Sequence, residues 1–353
     1  MRGSRILVCA PQTPFVRGGS EVLVEQLVSS LRAQEYKTDV VSLPFQDWPH
    51  EALIRSASIW RMLDLDKLYL PADAVIATKF PSYYVQHPNK IVWLFHNYRQ
   101  IYDLYDTPYG GYSRRRTDDL QASQWIAVND REFLLESQKI LAISENVRNR
   151  LRKYLDLDAE VLYPPPPMQD RFHCKDYEPF IFVAQRLDPY KRTDLLLQSV
   201  ELVEGDFKVL IAGTGPDETR LRDFVCEKGM ENRVQFLGRI TDEELIDYYA
   251  RCRMVYYAPF DEDYGFTTVE AFLSHKPVLT ASDSGGALEF VEHKTNGWIA
   301  SPLPGEMAAG IREIIEQPDY AGRLGEEGYR KVRNLSWAST MARFQQIFTE
   351  LHL

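Results

Sequence analysis

The sequence predicts an α/β protein built from two Rossmann-like, doubly wound domains that face each other across a cleft. The chain has 353 residues, which exceeds the usual size of a single domain. Short apolar runs alternate with helix-like segments along most of it, as in parallel sheets wrapped by helices. Four consecutive prolines at 164–167 interrupt this alternation, and proline can neither continue a helix nor lie in a central strand. We therefore expect an N-terminal domain over 1–163, a C-terminal domain over 164–336 and a last helix over 337–353.

The N-terminal domain opens with a predicted strand, loop and helix. Residues 5–10 form a short apolar run, and a loop containing proline and glycine joins it to an amphipathic stretch over 20–35. Later apolar runs predict four more strands, at 39–43, 74–77, 91–95 and 139–143.

The C-terminal domain repeats the alternation more regularly. Its predicted strands are 180–184, 208–212, 234–237, 254–258 and 277–281. Its predicted helices are 193–203, 217–228, 242–251 and 267–274. Several of these helices begin at Asp or Thr, whose side chains cap helix N-termini well.

The last segment predicts an amphipathic helix. Met341, Phe344, Phe348 and Leu351 recur at spacings of three and four residues, which places them on one face of a helix. We expect this face to pack back on the N-terminal domain.

Composition argues against several classes of protein. The net charge is -10, and the first 163 residues carry 20 basic and 20 acidic side chains, so the acidic excess lies in the rest of the chain. Such a chain is a poor candidate for nucleic-acid binding through phosphate contacts. The four cysteines are scattered without a C-x-x-C pair, which argues against a zinc site or a disulfide framework. No apolar stretch approaches the roughly 20 residues that span a bilayer. We expect a cytoplasmic protein, and peripheral contact with the inner membrane face stays open.

Two glycines, Gly18 and Gly19, follow the first strand and open the first long helix. Glycine lets backbone N–H groups approach a ligand closely, and a helix N-terminus favours an anion such as phosphate. Paired glycines form ordinary turns about as often. The phosphate-binding interpretation therefore depends on segments further along the chain.

A cationic segment at 186–192 follows the first strand of the C-terminal domain. Arg186 and Lys191 would stand at the mouth of the cleft, where they could neutralise the charge that develops on a nucleoside diphosphate leaving group. A solvated loop explains the same residues equally well.

Glu262 and Glu270 stand eight positions apart across the start of a predicted helix. The loop carboxylate of Glu262 can meet sugar hydroxyls, and Glu270 can accept hydrogen bonds from ribose hydroxyls. The amides of Gly265, Phe266 and Thr267 lie at the helix start and can hold a phosphate. Because apolar residues flank Glu270, a role confined to the solvated surface is less favoured.

Together these segments resemble the family-4 retaining glycosyltransferases of GT-B fold, whose pattern includes the glutamate pair, written E-x7-E. The resemblance spans nearly the whole chain. It implies that Arg186 and Lys191 bind the diphosphate and that Glu262 contacts the transferred sugar. It implies donor-binding roles for Gly18, Gly19, Gly213, Gly215, Arg239, Ile240, Gly265, Phe266, Thr267 and Glu270.

His96 follows an apolar run, at the position where the resembled family often has a histidine near the donor sugar. An isolated histidine after a strand is structural more often than catalytic. Because the surrounding motifs occur in the family's order, we expect an active-site role for His96 other than that of a general base.

The resemblance implies transfer of mannose or another hexose from a nucleotide-sugar to a glycan or lipid-linked sugar, in polysaccharide or glycolipid assembly. The amino-acid sequence of residues 191–194 is similar to the corresponding segment of mannosyltransferases that use GDP-mannose. We expect neither a metal nor another cofactor, since cations and helix dipoles can serve the diphosphate, and we interpret the D-x-D patterns at 64–66 and 261–263 as coincidental. Two alternatives stay open, a nucleotide-sugar epimerase on the same scaffold and a non-catalytic sugar-nucleotide-binding subunit.

Overall fold

The chain folds into two doubly wound α/β domains, which confirms the predicted fold class. The computed structural model describes residues 3–353. The N-terminal domain comprises residues up to Pro167 together with Ser336–Leu353, and the C-terminal domain comprises Met168–Leu335. The division between them falls directly after the four prolines, four residues beyond the expected position at 163.

The N-terminal domain is a six-stranded parallel sheet in the order β2-β1-β3-β4-β5-β6. Its strands are β1 (Arg5–Cys9), β2 (Lys37–Val41), β3 (Ala74–Lys79), β4 (Lys90–His96), β5 (Lys139–Ala142) and β6 (Glu160–Val161). Its first helices are α1 (Gly19–Ala33), α2 (His50–Met62), α3 (Thr117–Leu135) and α4 (Glu145–Leu155). Every residue of β3 is buried, as expected for a parallel strand covered on both faces.

The C-terminal domain is a second six-stranded parallel sheet, in the order β12-β11-β10-β7-β8-β9. Its strands are β7 (Glu178–Ala184), β8 (Lys208–Ala212), β9 (Val234–Gly238), β10 (Cys252–Tyr256), β11 (Val278–Ala281) and β12 (Gly297–Ala300). Its helices are α5 (Thr193–Glu201), α6 (Glu218–Glu227), α7 (Asp242–Arg251), α8 (Phe266–Leu273), α9 (Pro304–Ile315) and α10 (Pro318–Val332).

Each sheet has one point at which the strand order reverses direction. In the N-terminal sheet it lies between β1 and β3, and in the C-terminal sheet between β7 and β10. Loops leave such neighbouring strands toward opposite faces of the sheet, so a crevice opens at the carboxyl ends of the two strands. The two switch points are therefore the places in this fold where a ligand is expected.

The sequence missed two strands and displaced two others. β6 has only two residues, too few for a recognisable apolar run, and β12 has four, the first of which is a glycine, a residue that is depleted in strands. β2 and β10 each begin two residues before their predicted positions. At β10 the apolar run extends past the strand, because Tyr257 and Ala258 are buried in the loop that follows.

The last helix, α11 (Trp337–Glu350), packs within the N-terminal domain. Phe344 is fully buried, and its ring lies 5.4 Å from that of Trp93 in β4. Arg343 donates to both carboxylate oxygens of Glu160, at 2.5 and 2.8 Å, and this contact holds the pKa of Glu160 down at about 2. The apolar stripe expected from the sequence is thus the face that covers the sheet.

All four cysteines are free thiols, with Cys9 and Cys252 buried and Cys174 and Cys226 exposed. Within residues 3–353, none of the helices is both long enough and apolar enough to cross a bilayer.

We expect Phe344→Ala to lower the free energy of unfolding of the N-terminal domain by about 3–5 kcal/mol, the usual cost of deleting a buried aromatic ring. Urea denaturation would measure the loss. Gln346→Ala, on the exposed side of the same helix, is the matched control and should change stability by less than about 0.5 kcal/mol. Equal effects of the two substitutions would show that α11 does not stabilise the sheet.

Candidate active site

The C-terminal switch point gathers half of the site residues that the sequence predicts. The loop after β7 carries 185–192, and the loop after β10 carries 257–265 and leads directly into α8. β7 and β10 are hydrogen-bonded neighbours, so both loops leave the same edge of the sheet. Residues such as Lys191 and Glu262, which are 71 positions apart in sequence, therefore meet at one place.

Lys191 and Glu262 form an ion pair between these two loops. Their side chains are only 13% and 14% exposed, and the Lys191 ammonium also lies 3.3 Å from the hydroxyl of Tyr257. Two charges withdrawn from water in this way stabilise each other strongly but leave either one costly when alone. The sequence analysis selected both residues, and the structure brings them into direct contact.

Arg192 holds the loops of this edge in place. Its buried guanidinium donates to the carbonyl oxygens of Ala258 at 2.7 Å and Pro259 at 2.8 Å. It also forms two hydrogen bonds with the carboxylate of Asp283, at 2.9 and 2.7 Å, in the loop that follows β11. One side chain thus connects the loops after β7, β10 and β11.

Helix α8 begins without a side-chain cap. Its N-cap is Gly265, whose φ is +89°, and a Cβ there would lie 2.8 Å from the ring of Tyr257. The position requires glycine both for its left-handed backbone and for this close approach. The hydroxyl of Thr267 donates to the carbonyl oxygen of Ala184 at the end of β7, at 3.1 Å. The first turn of α8 is therefore fixed against β7, and no side chain caps its N–H groups.

Glu270 lies one turn into α8 and is partly buried. Burial raises the pKa of its carboxyl group to about 7, although the hydroxyl of Tyr249, which donates to it at 2.9 Å, acts in the opposite direction. Near neutral pH this carboxyl group is therefore present both in its protonated form, which can donate a hydrogen bond, and in its ionised form, which only accepts. We refer to Lys191, Tyr257, Glu262, Gly265 and Glu270 as the switch-point site.

Arg186 stands on the same loop as Lys191 but is far more exposed. Its side chain is 57% exposed, and its guanidinium pairs with Asp188 at 3.1 Å. The guanidinium therefore faces solvent, whereas the carboxylate of Asp188 is largely buried and also accepts from the hydroxyl of Tyr190 at 3.2 Å.

Gly213 and Gly215 follow β8, and the structure gives them a packing role. A Cβ at Gly213 would collide with the carbonyl oxygen of Gln185, and one at Gly215 with that of Leu187. These glycines let the loop after β8 lie directly against the loop after β7. Arg239 and Ile240 follow β9, the strand at the edge of the sheet beyond β8, with Arg239 exposed and Ile240 partly exposed.

Three of the selected residues lie in the N-terminal domain. Gly18 is the N-cap of α1, its N–H donates to Glu21 at 2.9 Å, and Gly19 is the first helical residue. A Cβ at Gly18 would make only an ordinary contact, so packing does not require glycine there. His96 ends β4, and its Nδ1 lies 2.9 Å from the carbonyl oxygen of Asn97.

The sequence analysis missed several residues that shape the switch-point site. Tyr257, Tyr249 and Asp283 each contact a selected side chain or the guanidinium of Arg192. The only sequence signal for Arg192 was its position next to Lys191. Across the described residues 3–353, no group of three or more His, Cys, Asp or Glu side chains could hold a metal ion, and Asp64 of the first D-x-D pattern pairs with Lys67 at 2.6 Å.

A sequence model of a known family matches most of the C-terminal domain. The model described as "Glycosyl transferases group 1" covers residues 169–331. The C-terminal domain is therefore similar in sequence to the group 1 glycosyl transferases. The switch-point site lies entirely within the matched residues.

Curated relatives that are named glycosyltransferases match part of this chain. The uncharacterized glycosyltransferase MJ1178 of Methanocaldococcus jannaschii is 26% identical over 216 residues, 61% of this chain and 60% of the relative. The human alpha-1,3/1,6-mannosyltransferase ALG2 is 25% identical over 227 residues, 57% of this chain and 54% of the relative. The chain thus spans less than two thirds of the length of these relatives.

Solved structures match nearly the whole chain in fold. Sucrose-phosphate synthase from Thermosynechococcus elongatus has a TM-score of 0.80 at 18% identity, covering 99% of both chains. HepE from Anabaena, in complex with UDP and glucose, has a TM-score of 0.70 at 15% identity, covering 98% of this chain and 100% of that one. Both domains of the present chain therefore have the GT-B type of fold.

We expect Lys191→Met to destabilise the C-terminal domain by about 3 kcal/mol, because it leaves the carboxylate of Glu262 buried without its partner. Adding Glu262→Gln to this variant should restore part of the loss, and a double-mutant cycle by urea denaturation would measure the coupling. Lys228→Met is the matched control, since Lys228 pairs with Glu201 in the same domain but is 40% exposed. It should cost less than about 1 kcal/mol. A zero coupling energy would mean that the ion pair does not organise the site.

Proposed function

We propose that this chain is a retaining, metal-independent family-4 glycosyltransferase that transfers mannose from GDP-mannose to a glycan or glycolipid acceptor. The observation that supports it best is the switch-point site itself: a half-buried lysine–glutamate pair beside the start of a glycine-capped helix that carries a second glutamate. A nucleotide-sugar needs a cation and free N–H groups for its diphosphate, and carboxylates for its hydroxyls. The site offers both.

The ribose would bind at Glu270. Two neighbouring hydroxyls can donate to one carboxylate, and the Tyr249 hydroxyl fixes the orientation of that carboxylate at 2.9 Å. The base would lie beyond it, against Arg239 and Ile240 at the end of β9, and contact mainly their backbone groups.

The diphosphate would bind at the start of α8, one turn before Glu270. The N–H groups of Phe266 and Thr267 lie at the positive end of the helix dipole, which favours a negative charge. Lys191 supplies a full positive charge on the neighbouring loop. The largely exposed guanidinium of Arg186 can turn from Asp188 and bind the phosphates as well.

Arrival of the donor would exchange partners within the ion pair. A diphosphate carries more negative charge than a carboxylate, so the ammonium of Lys191 moves its strongest contact from Glu262 to the phosphate. Glu262 then accepts hydrogen bonds from the hydroxyls of the transferred sugar. The ion pair thus keeps the ammonium and the carboxylate ionised, and holds both in position, until the donor binds.

Transfer follows from stabilisation of the leaving group. The bond between the anomeric carbon and the phosphate oxygen breaks, and charge accumulates on the diphosphate, where Lys191 and the helix amides stabilise it. The acceptor hydroxyl attacks the same face of the sugar, forms the new glycosidic bond and gives its proton to the departing phosphate oxygen. Gly18 and Gly19 would contact the donor phosphates, and His96 would lie near the donor sugar.

Mannose is the proposed sugar for two reasons. The segment 191–194 is similar to that of mannosyltransferases, and the relative ALG2 is a mannosyltransferase by name. The acceptor would bind the N-terminal domain. The proposed setting is the cytoplasm, which suits four free thiols, at the inner membrane face when the acceptor is a glycolipid.

The decisive assay follows release of GDP from GDP-mannose in EDTA, with a panel of sugar acceptors and with UDP-glucose as the competing donor. We expect acceptor-dependent GDP release, and we expect Lys191→Met to lower kcat/KM by roughly 100-fold or more, the usual effect of removing one group that stabilises developing charge. Lys228→Met should retain full activity. Absence of transfer from every donor, with the protein folded, would refute the proposal, and turnover of the donor without any acceptor would favour an epimerase or a hydrolase.

The affinity for GDP should rise with pH between about 6 and 8. The pKa of Glu270 is raised to about 7, so its carboxyl group is protonated at the lower pH and ionised at the higher one, and only the ionised form accepts from both ribose hydroxyls. Calorimetric titration should show up to about a tenfold gain across this range. Glu270→Gln is the control, because it keeps the titration of the phosphate but loses that of the carboxyl group. Parallel pH profiles for the two proteins would exclude Glu270 from the ribose site.

A further inference from the structure

The N-terminal domain has a cavity of about 500 Å³ at its own switch point. The cavity is bounded by 10–12, which follow β1, by one face of α1, by the edge strand β2, and by Lys79 at the end of β3. Cavities of roughly 300–1,000 Å³ are typical of small-molecule sites. Its position between β1 and β3 is the one at which this sheet order is expected to bind a ligand.

Apolar side chains contribute to two sides of this cavity. Val24 and Val28 from α1 line one side and Val40 from β2 lines the other, and the polar residues Glu25, Ser29, Arg32 and Ser42 also border it. Val40 is 44% exposed, so the cavity opens to solvent at the edge of the sheet. The three valines favour contact with an apolar part of a ligand, which they would remove from water.

The inner end of the cavity is polar, and its positive and negative charges cancel. The ammonium of Lys79 lies 2.7 Å from the carboxylate of Glu21 and 2.8 Å from the hydroxyl of Ser20. Burial alone would raise the pKa of Glu21, but the hydrogen bond and charge of Lys79 outweigh it and hold this pKa below its usual value. Because Lys79 is already neutralised, this end suits uncharged hydroxyls better than a phosphate, which would have to displace Glu21.

The same polar end adjoins the glycine step at the start of α1. Glu21 accepts from the N–H of Gly18 at 2.9 Å, so the carboxylate that pairs with Lys79 also caps the helix. A hydroxyl bound at Lys79 and Glu21 would therefore lie beside the backbone that the proposed function assigns to the donor phosphates.

Exposed apolar side chains are concentrated in the domain that contains the cavity. Phe15 is fully exposed with a left-handed backbone φ of +66°, and Val16 is 39% exposed, both in the loop between the cavity and Gly18. Among the described residues, twelve of the fourteen large exposed apolar side chains lie in the N-terminal domain, and the other two are Leu202 and Leu303. Such a distribution marks a surface that meets apolar material.

We propose that the acceptor is an amphiphile whose alkyl or isoprenoid chain occupies this cavity while its sugar hydroxyls bind Lys79 and Glu21. The inference rests on the proposed function, because it identifies the acceptor class of the same reaction. The apolar chain supplies the affinity through burial, and the neutral ion pair selects the sugar end and points it toward Gly18 and Gly19.

Calorimetric titration with methyl, n-butyl and n-octyl β-D-glucopyranoside, each below its micelle concentration, tests the inference without any donor. Affinity should increase at least tenfold from methyl to octyl, the effect of burying roughly two methylene groups, with an increasingly negative heat-capacity change. Val40→Gln should remove most of this dependence on chain length. Val128→Gln is the matched control, because Val128 is an exposed valine on α3 outside the cavity.

Three results would overturn the inference: affinity independent of chain length, equal affinities of the two valine variants for the octyl glucoside, or binding of octan-1-ol as tight as that of the octyl glucoside. The last result would mean that the polar end does not recognise a sugar. Binding of GDP by the C-terminal domain, measured on the same preparation, separates the two proposals. If the protein binds GDP but its affinity for glucosides does not depend on alkyl-chain length, only the acceptor class is refuted. If the folded protein does not bind GDP, the proposed function is refuted.

Discussion

A single buried guanidinium, that of Arg192, sets the geometry on which the switch-point site depends. It makes five hydrogen bonds, two to backbone carbonyl oxygens after β10, two to Asp283 and one to the hydroxyl of Ser284 after β11, and so satisfies most of its five donors. A buried charge tolerates little displacement, because each lost partner leaves an unpaired polar group. Lys191 directly precedes Arg192 in the chain, so the hydrogen bonds that hold Arg192 also fix the position of Lys191.

Both domains place a half-buried lysine–glutamate pair at the switch point of their sheet. One pair, Lys191 and Glu262, joins the loop after β7 to the loop before α8. The other pair, Lys79 and Glu21, joins the end of β3 to the start of α1. The pairs differ in their surroundings. The first stands beside an uncapped helix start and suits a phosphate, whereas the second closes an apolar cavity and its carboxylate already caps the helix. The same charge pattern can therefore serve two different ligands.

The sequence predicts elements and single residues better than it predicts contacts. The buried strands were recognised because parallel strands are continuous apolar runs, and Lys191, Glu262 and Glu270 because charged groups near strand ends and a helix start indicate a ligand site. The partners were not predictable: Asp283 lies 91 positions from Arg192, and no local pattern links them. At Gly213 and Gly215 the structure adds a packing requirement, because a Cβ at either position would collide with the loop after β7, and a glycine pattern in sequence does not reveal such a contact.

A crystal structure of the protein with GDP, grown in EDTA, would show whether the switch-point site binds the nucleotide. We expect the diphosphate against the N–H groups at the start of α8, the ammonium of Lys191 turned from Glu262 to a phosphate oxygen, and both ribose hydroxyls on Glu270. The loops held by Arg192 should keep their positions. A nucleotide bound away from α8, or one that leaves the Lys191–Glu262 pair untouched, would contradict this expectation.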